Sequence, residues 1–158
     1  NQTKIQQDII KVNTIEELSI FKKYPSTLKV DIKKTEFLAI TKKDGLDYYI
    51  GSNGKLIKKN EFFSKLPYVF GNLNVEEFLK FKKYIDMSNF KFNEIINLYF
   101  YKSERWDIET SKGYIIKLPK NDVKKNLDLF VRLSNDGKFK DNLIVDFRQK
   151  SQIILNAR

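Results

Sequence analysis

Residues 105–119, Arg-Trp-Asp-Ile-Glu-Thr-Ser-Lys-Gly-Tyr-Ile-Ile-Lys-Leu-Pro, leave the backbone few options. Ile108 and Thr110 lie two apart on one arm, and Ile116 and Leu118 do so on the other. Side chains two apart on an extended chain share a face, so each arm reads as a strand. Ser111-Lys112-Gly113 breaks the run between them, which makes the segment a hairpin. Pro119 has no backbone donor and ends the second arm, and Asn121-Asp122 can then cap a helix. Trp106 is the only tryptophan and is expected as a packed core aromatic.

The flanking chain supplies the layers. Ile5, Ile9, Ile10 and Val12 predict a short amphipathic helix over residues 3–11. Residues 15–24 read as a strand with Leu18, Ile20 and Tyr24 on one face. After a Pro25-Ser26-Thr27 turn, Leu28, Val30 and Ile32 alternate with Lys29, Asp31 and Lys33, the cleanest period-two pattern present. Further strands are expected over 37–41, 48–51 and 55–58, the last two joined by a Ser52-Asn53-Gly54 turn. Residues 62–71 read as irregular chain. Asn74 with Glu77 three residues on starts a helix whose apolar stripe is Val75, Phe78, Leu79 and Ile85, with Lys80, Lys82 and Lys83 toward water.

Residues 93–103 alternate Ile95, Asn97, Tyr99 and Tyr101 against Ile96, Leu98 and Phe100, a strand entering the hairpin. A second helix buries Val123, Leu127, Phe130 and Val131 and stops at Asn135-Asp136-Gly137. Strands over 143–147 and 152–155 close the chain. The fold class is therefore α+β, and no internal repeat is present.

Chemistry is restricted by what the 158 residues omit. No histidine removes the commonest general base and transition-metal ligand, and no cysteine removes thiolate chemistry. Asp44/Asp47 sit in a Gly-bearing loop where aspartate suits a turn. Asp107/Glu109 would share a strand face without a third ligand and are expected as solvated. No phosphate loop or dinucleotide fingerprint occurs. Neither an enzyme nor a cofactor or metal site is expected.

The net charge of +10 rests on lysine, since arginine supplies only Arg105, Arg132, Arg148 and Arg158 of 30 cationic residues. The lysine doublets are scattered along the chain and no nucleic-acid fold signature accompanies them, so the charge reads as a solvated surface. A basic nucleic-acid-binding module is the alternative from a different class. No apolar run is long enough to span a bilayer. The chain opens on Asn1, already in a helical pattern, so a processed or trimmed N-terminus is expected, which leaves a membrane anchor upstream open.

The ordered motifs carry a resemblance. Tyr24-Pro25-Ser26-Thr27-Leu28-Lys29-Val30 is similar to the Tyr/Trp-Pro-x-Thr-Leu segment of a POTRA domain. Leu66-Pro67 with Gly71, Arg105-Trp106-Asp107 with Gly113 and Leu118-Pro119, and Val145-Asp146-Phe147-Arg148 follow in the order and spacing of the bacterial FtsQ/DivIB cell-division family. The Leu-Pro after the hairpin looks most like its Gram-negative, alphaproteobacterial branch. Two departures stand out: Glu36-Phe37-Leu38-Ala39 lacks the family's proline, and Gln149 stands where an aromatic is common.

The resemblance implies residues 1–39 as the C-terminal part of a POTRA domain, without its first strand and helix, and residues 40–158 as a β-domain of mostly antiparallel strands with two packed helices. It implies a non-catalytic divisome scaffold, the periplasmic region of a single-pass inner-membrane protein acting in septum assembly. The partners implied are FtsB and FtsL, bound at a C-terminal edge strand, with other divisome proteins at the POTRA part. Another POTRA-bearing envelope assembly factor is the runner-up among scaffolds. By motif position the protein-binding residues are Arg105, Arg148, Gln149, Ser151 and Ile153. The two arginines would meet partner carboxylates, while Ser151 and Ile153 would flank the paired backbone. For Arg148, an internal ion pair with Asp146 is the competing reading.

Overall fold

The computed structural model describes residues 14–59 and 65–158. The alternation at the start of this range yields β1 (Ile15–Lys23) and β2 (Thr27–Lys34), antiparallel, with Leu18 opposite Ile32 and Ile20 opposite Val30. Leu18, Ile20, Leu28, Val30 and Ile32 thus share one face of a two-stranded sheet. Leu18 and Ile20 are half-buried, but Leu28, Val30 and Ile32 stay exposed. Tyr24 belongs to the turn rather than to the face of β1, and is 88% exposed. The helix expected over residues 3–11 lies outside the described residues.

From Phe37 onward the chain builds one nine-stranded sheet: β3 (Phe37–Lys43), β4 (Leu46–Gly51), β5 (Leu56–Lys58), β6 (Tyr68–Phe70), β7 (Ile95–Phe100), β8 (Trp106–Thr110), β9 (Ile115–Lys117), β10 (Leu143–Asp146) and β11 (Ile154–Ala157). The order across it is β11-β10-β9-β8-β7-β6-β3-β4-β5. Pairing is mostly antiparallel; β6 runs parallel to both neighbours, and β9 runs parallel to β10. Ser52 links the two sheets, donating from Oγ to Glu16 at 2.8 Å and accepting there from the Glu36 N–H at 3.0 Å.

Two helices cover one face. In α1 (Val75–Asp86) the Asn74 side chain accepts from the Glu76 N–H at 3.0 Å, satisfying a first-turn donor as its position predicted. In α2 (Val123–Asn135) the expected capping aspartate behaves differently. Asp122 holds the N-cap position at φ 59° but makes no side-chain cap bond; its carbonyl accepts from the Asn126 backbone and side chain instead. The stop is as expected: Lys138 N–H bonds to Leu133 C=O and Gly137 N–H to Ser134 C=O, with Gly137 at φ 67°.

Phe78, Phe81 and Ile85 of α1 and Val123, Leu127 and Phe130 of α2 pack against Ala39, Ile50, Val69, Leu98, Trp106, Ile108, Ile116 and Val145 of the sheet. Trp106 stacks on Phe81 at 4.5 Å between ring centroids and touches Phe100 at 4.7 Å. Phe81 was absent from the expected α1 stripe, although it lies three residues from Phe78 on the same face. Lys82, expected in water, is largely covered: it lies 4.6 Å from the Phe92 ring and pairs with Asp86 at 2.6 Å.

Two strand readings are corrected. Residues 68–70, expected as irregular, form β6 in the interior of the sheet. Its three residues, bounded by Pro67 and Gly71, carry too little pattern to show a strand that two parallel neighbours create. Gly71 is required there, at φ 112°, because a Cβ would stand 2.2 Å from the Phe100 carbonyl oxygen. In β7, an irregularity between Ile95 and Asn97 turns Ile95 into the core with Leu98 and leaves Ile96 exposed. Strict alternation would have put Ile95 and Leu98 on opposite faces.

Candidate protein-binding edge

Because Ile108, Ile116 and Val145 face the helices, the residues between them face the open side of the sheet. Register then assembles two rows across it. One runs Phe70, Tyr99, Asp107, Lys117, Asp146, Ile154; the other runs Tyr68, Asn97, Glu109, Ile115, Ile144, Asn156. The rows end at β11, which lies at the sheet edge with all four residues exposed. Among the described residues, nothing pairs with its outer side.

The last strand begins two residues later than the sequence reading placed it, at Ile154 rather than Gln152. Three predicted site residues consequently fall in the β10–β11 connection. Gln149 is exposed; Ser151 is exposed in a turn at φ 72°; Ile153 is half-buried and packs on the core. A left-handed φ at Ser151 excludes proline, so that substitution would test the turn and not the strand.

Arg148 is held internally. Its Nε donates to Asp146 Oδ1 at 2.8 Å and to Oδ2 at 3.0 Å, its Nη2 to Oδ2 at 2.5 Å, and its backbone N–H to Oδ1 at 2.9 Å. The Arg148 guanidinium, first, and its backbone N–H hold the Asp146 carboxyl below its ordinary range. Nη1 makes none of these bonds. Arg105 sits at the far end of β8, its Nε donating to Ser103 Oγ at 2.9 Å and its guanidinium 5.6 Å from the Tyr101 ring.

Asp107 and Glu109 overturn the expectation of a solvated face: they are 5% and 8% exposed. β8 has three strands on one side and five on the other, so both carboxylates are sunk beneath neighbouring side chains. Glu109 accepts from Asn97 Nδ2 at 2.8 Å and Tyr99 OH at 2.9 Å, and pairs with Arg158, which reaches in from beyond β11. The Asn97 bond foremost, with Tyr99 and Arg158, keeps Glu109 below the usual carboxylate range. Among the described residues Asp107 accepts only from Tyr101 OH, at 3.2 Å, and its Oδ1 has no partner. Burial pushes its carboxyl up, against the pull of Tyr101, Lys117, Arg148 and Arg105.

Asp44 and Asp47 part ways. Asp44 occupies a turn at φ 50°, whereas Asp47 accepts from Tyr68 OH at 3.0 Å. No three acidic side chains converge as a metal site among the described residues. The sequence reading missed Arg158 as a site residue, since only the strand order β8-β9-β10-β11 brings it near Glu109.

Taken together these elements make an α+β domain: a mixed nine-stranded sheet, helices on one face, and an exposed strand at its margin. The family model described as "Cell division protein FtsQ/DivIB, C-terminal" matches residues 39–148, and the chain belongs to that cell-division family. The family comprises non-enzymatic division scaffolds that are membrane-anchored and carry an extracytoplasmic domain. Among solved structures, the chain is similar to the major extracytoplasmic domain, in its trans isomer, of the cell-division protein DivIB from Geobacillus stearothermophilus. That likeness has 12% identity and a TM-score of 0.47, covering 68% of this chain and 99% of the other. Comparison with curated proteins gives no match. No helix among the described residues is long and apolar enough to cross a membrane.

Proposed function

We propose that this chain is a non-catalytic divisome scaffold that takes the FtsB–FtsL pair at β11, from the periplasmic side of an inner membrane that its protein crosses once. The observation that carries the reading is β11 itself, an edge strand with all four side chains exposed and no partner on its outer side among the described residues. An edge of this kind offers backbone donors and acceptors to an added strand. Arg105, Arg148, Gln149, Ser151 and Ile153 remain the proposed contacts, with roles adjusted to their positions. Arg148 has Nη1 for a partner carboxylate, Gln149 and Ser151 present polar groups beside the strand, and Ile153 anchors the connection. The division of the sheets between Lys34 and Phe37 supports two units, the C-terminal part of a POTRA domain, open to other divisome proteins, ahead of a β-domain. The boundary proposed from the sequence, 1–39 and 40–158, falls inside β3, so Phe37–Ala39 go with the β-domain sheet.

The test is calorimetric titration with the periplasmic segment of an FtsB-type partner from the same genome, at physiological salt. Single prolines at Ile154, Leu155, Asn156 and Ala157 remove strand donors one at a time. Saturable one-to-one binding that is weakened by proline in variants retaining the wild-type circular dichroism spectrum is the expected result. Unaltered binding in every folded variant would reject edge pairing. A steep salt slope for single-stranded nucleic acid, with no heat from the peptide, would move the assignment to the basic surface.

A further inference from the structure

β11 presents a physical problem. A four-residue strand at a sheet edge with every side chain exposed has little burial to hold it and should fray. Its ladder to β10 spans only Ile154 to Ala157. Ile153 is packed just before the strand, but Leu155 and Ile154 are 46% and 38% exposed within it. At the other end, the Arg158 N–H bonds to the Asn142 carbonyl at 3.2 Å. The Arg158 side chain then crosses the sheet: Nη1 lies 3.5 Å from the Gly113 carbonyl, and Nη2 pairs with Glu109 on β8. Glu109 is sunk in the sheet and already oriented by Asn97 and Tyr99, so the cation meets a fixed carboxylate. A charge-assisted pair to a rigid acceptor gives more than a surface pair between two mobile chains.

We propose that Glu109 and Arg158 are positioning residues for the partner-binding edge: the pair clamps the end of β11 onto the sheet and so keeps its outer backbone ordered for an added strand. The partner-binding clause rests on the function proposed above; the clamp itself does not. Arg158 acts through β11 and is not a contact for the partner. Order supplied beforehand lowers the entropic cost of pairing, so loss of the clamp weakens partner binding without removing any group that touches the partner.

The experiment is amide hydrogen exchange on the full chain, with no partner present, for wild type, Arg158→Ala, Arg158→Lys and Glu109→Gln. Arg158→Ala keeps the backbone bond to Asn142, so it isolates the side chain. The expected result is exchange at the β10-bonded amides within Ile154–Ala157 at least about tenfold faster in Arg158→Ala, with protection in β7 and β8 unchanged, and partial restoration by lysine. β11 exchange in Arg158→Ala equal to wild type overturns the clamp. Should Glu109→Gln fail to fold, the two Arg158 variants decide the matter alone, since Arg158 is exposed. Partner titration of the same variants follows. If β11 loosens and the wild type binds no partner, the clamp stands and the edge-pairing function fails.

Discussion

Asp146 grips Arg148 by both its backbone and its guanidinium, with a 2.9 Å bond to the N–H and a 2.5 Å contact to Nη2. A carboxylate committed in this way fixes which guanidinium nitrogens face outward at the mouth of the β10–β11 connection. Its carboxyl lies below its ordinary value of 3.8, so the native state favours the ionised form more than the unfolded chain does. Stability from this pair is therefore present above the unfolded value and is lost as pH falls through the lower, folded one. Asp146→Asn should cost about 1 kcal/mol at neutral pH, with the difference from wild type shrinking on acidification below about pH 4. Urea melts of both proteins at several pH values check this.

Asp107 should show the opposite sign. Burial raises its carboxyl above 3.8, so between the unfolded and the folded value the native state binds more protons at this group than the unfolded chain does. Its contribution becomes less favourable as pH rises from the unfolded value to the folded one. Asp107→Asn should therefore raise the melting temperature at neutral pH by a few degrees, roughly 1 kcal/mol for a domain of this size, and do nothing in strong acid. Melting curves at pH 3 and pH 7.5 give the answer; a destabilised variant at neutral pH would show that the unpartnered Oδ1 carries no penalty.

Trp106 offers both a probe and a weak point. It is stacked 4.5 Å from Phe81 and 4% exposed, so its emission should be blue-shifted and should move red in a single transition on unfolding. Trp106→Ala should cost about 3–5 kcal/mol, because the surrounding rings cannot collapse into the space.

Asn74 caps α1 from the side chain, and Asp122 caps α2 from no side-chain atom. Asn74→Ala should destabilise by about 1 kcal/mol, while Asp122→Ala should not lose a cap bond. Asp122 sits at φ 59°, so Asp122→Gly is the better comparison and should be neutral or stabilising. Chemical denaturation of the three variants separates these outcomes.

Local pattern determined much of this protein. The period-two runs of β2 and of the β8–β9 arms, the Gly113 turn, the Asn74 cap and the Gly137 stop each follow from rules acting over a few residues, so the residues themselves display them. The order of the family motifs was legible in the same way, and the family match over residues 39–148 agrees with it. Tertiary structure decided the remainder. β6 is a strand because β3 and β7 bond to it from both sides, not because residues 68–70 carry a pattern. Ile95 turned inward at an irregularity that alternation cannot foresee. Asp107 and Glu109 read as a wet strand face because burial depends on how many strands lie to either side, and sequence spacing does not carry that number. The pairing of Glu109 with Arg158, 49 residues away, exists only once β9 and β10 lie between them. Short-range hydrogen bonding and side-chain period are properties of a segment, whereas burial, register and long-range charge pairing are properties of the assembled sheet.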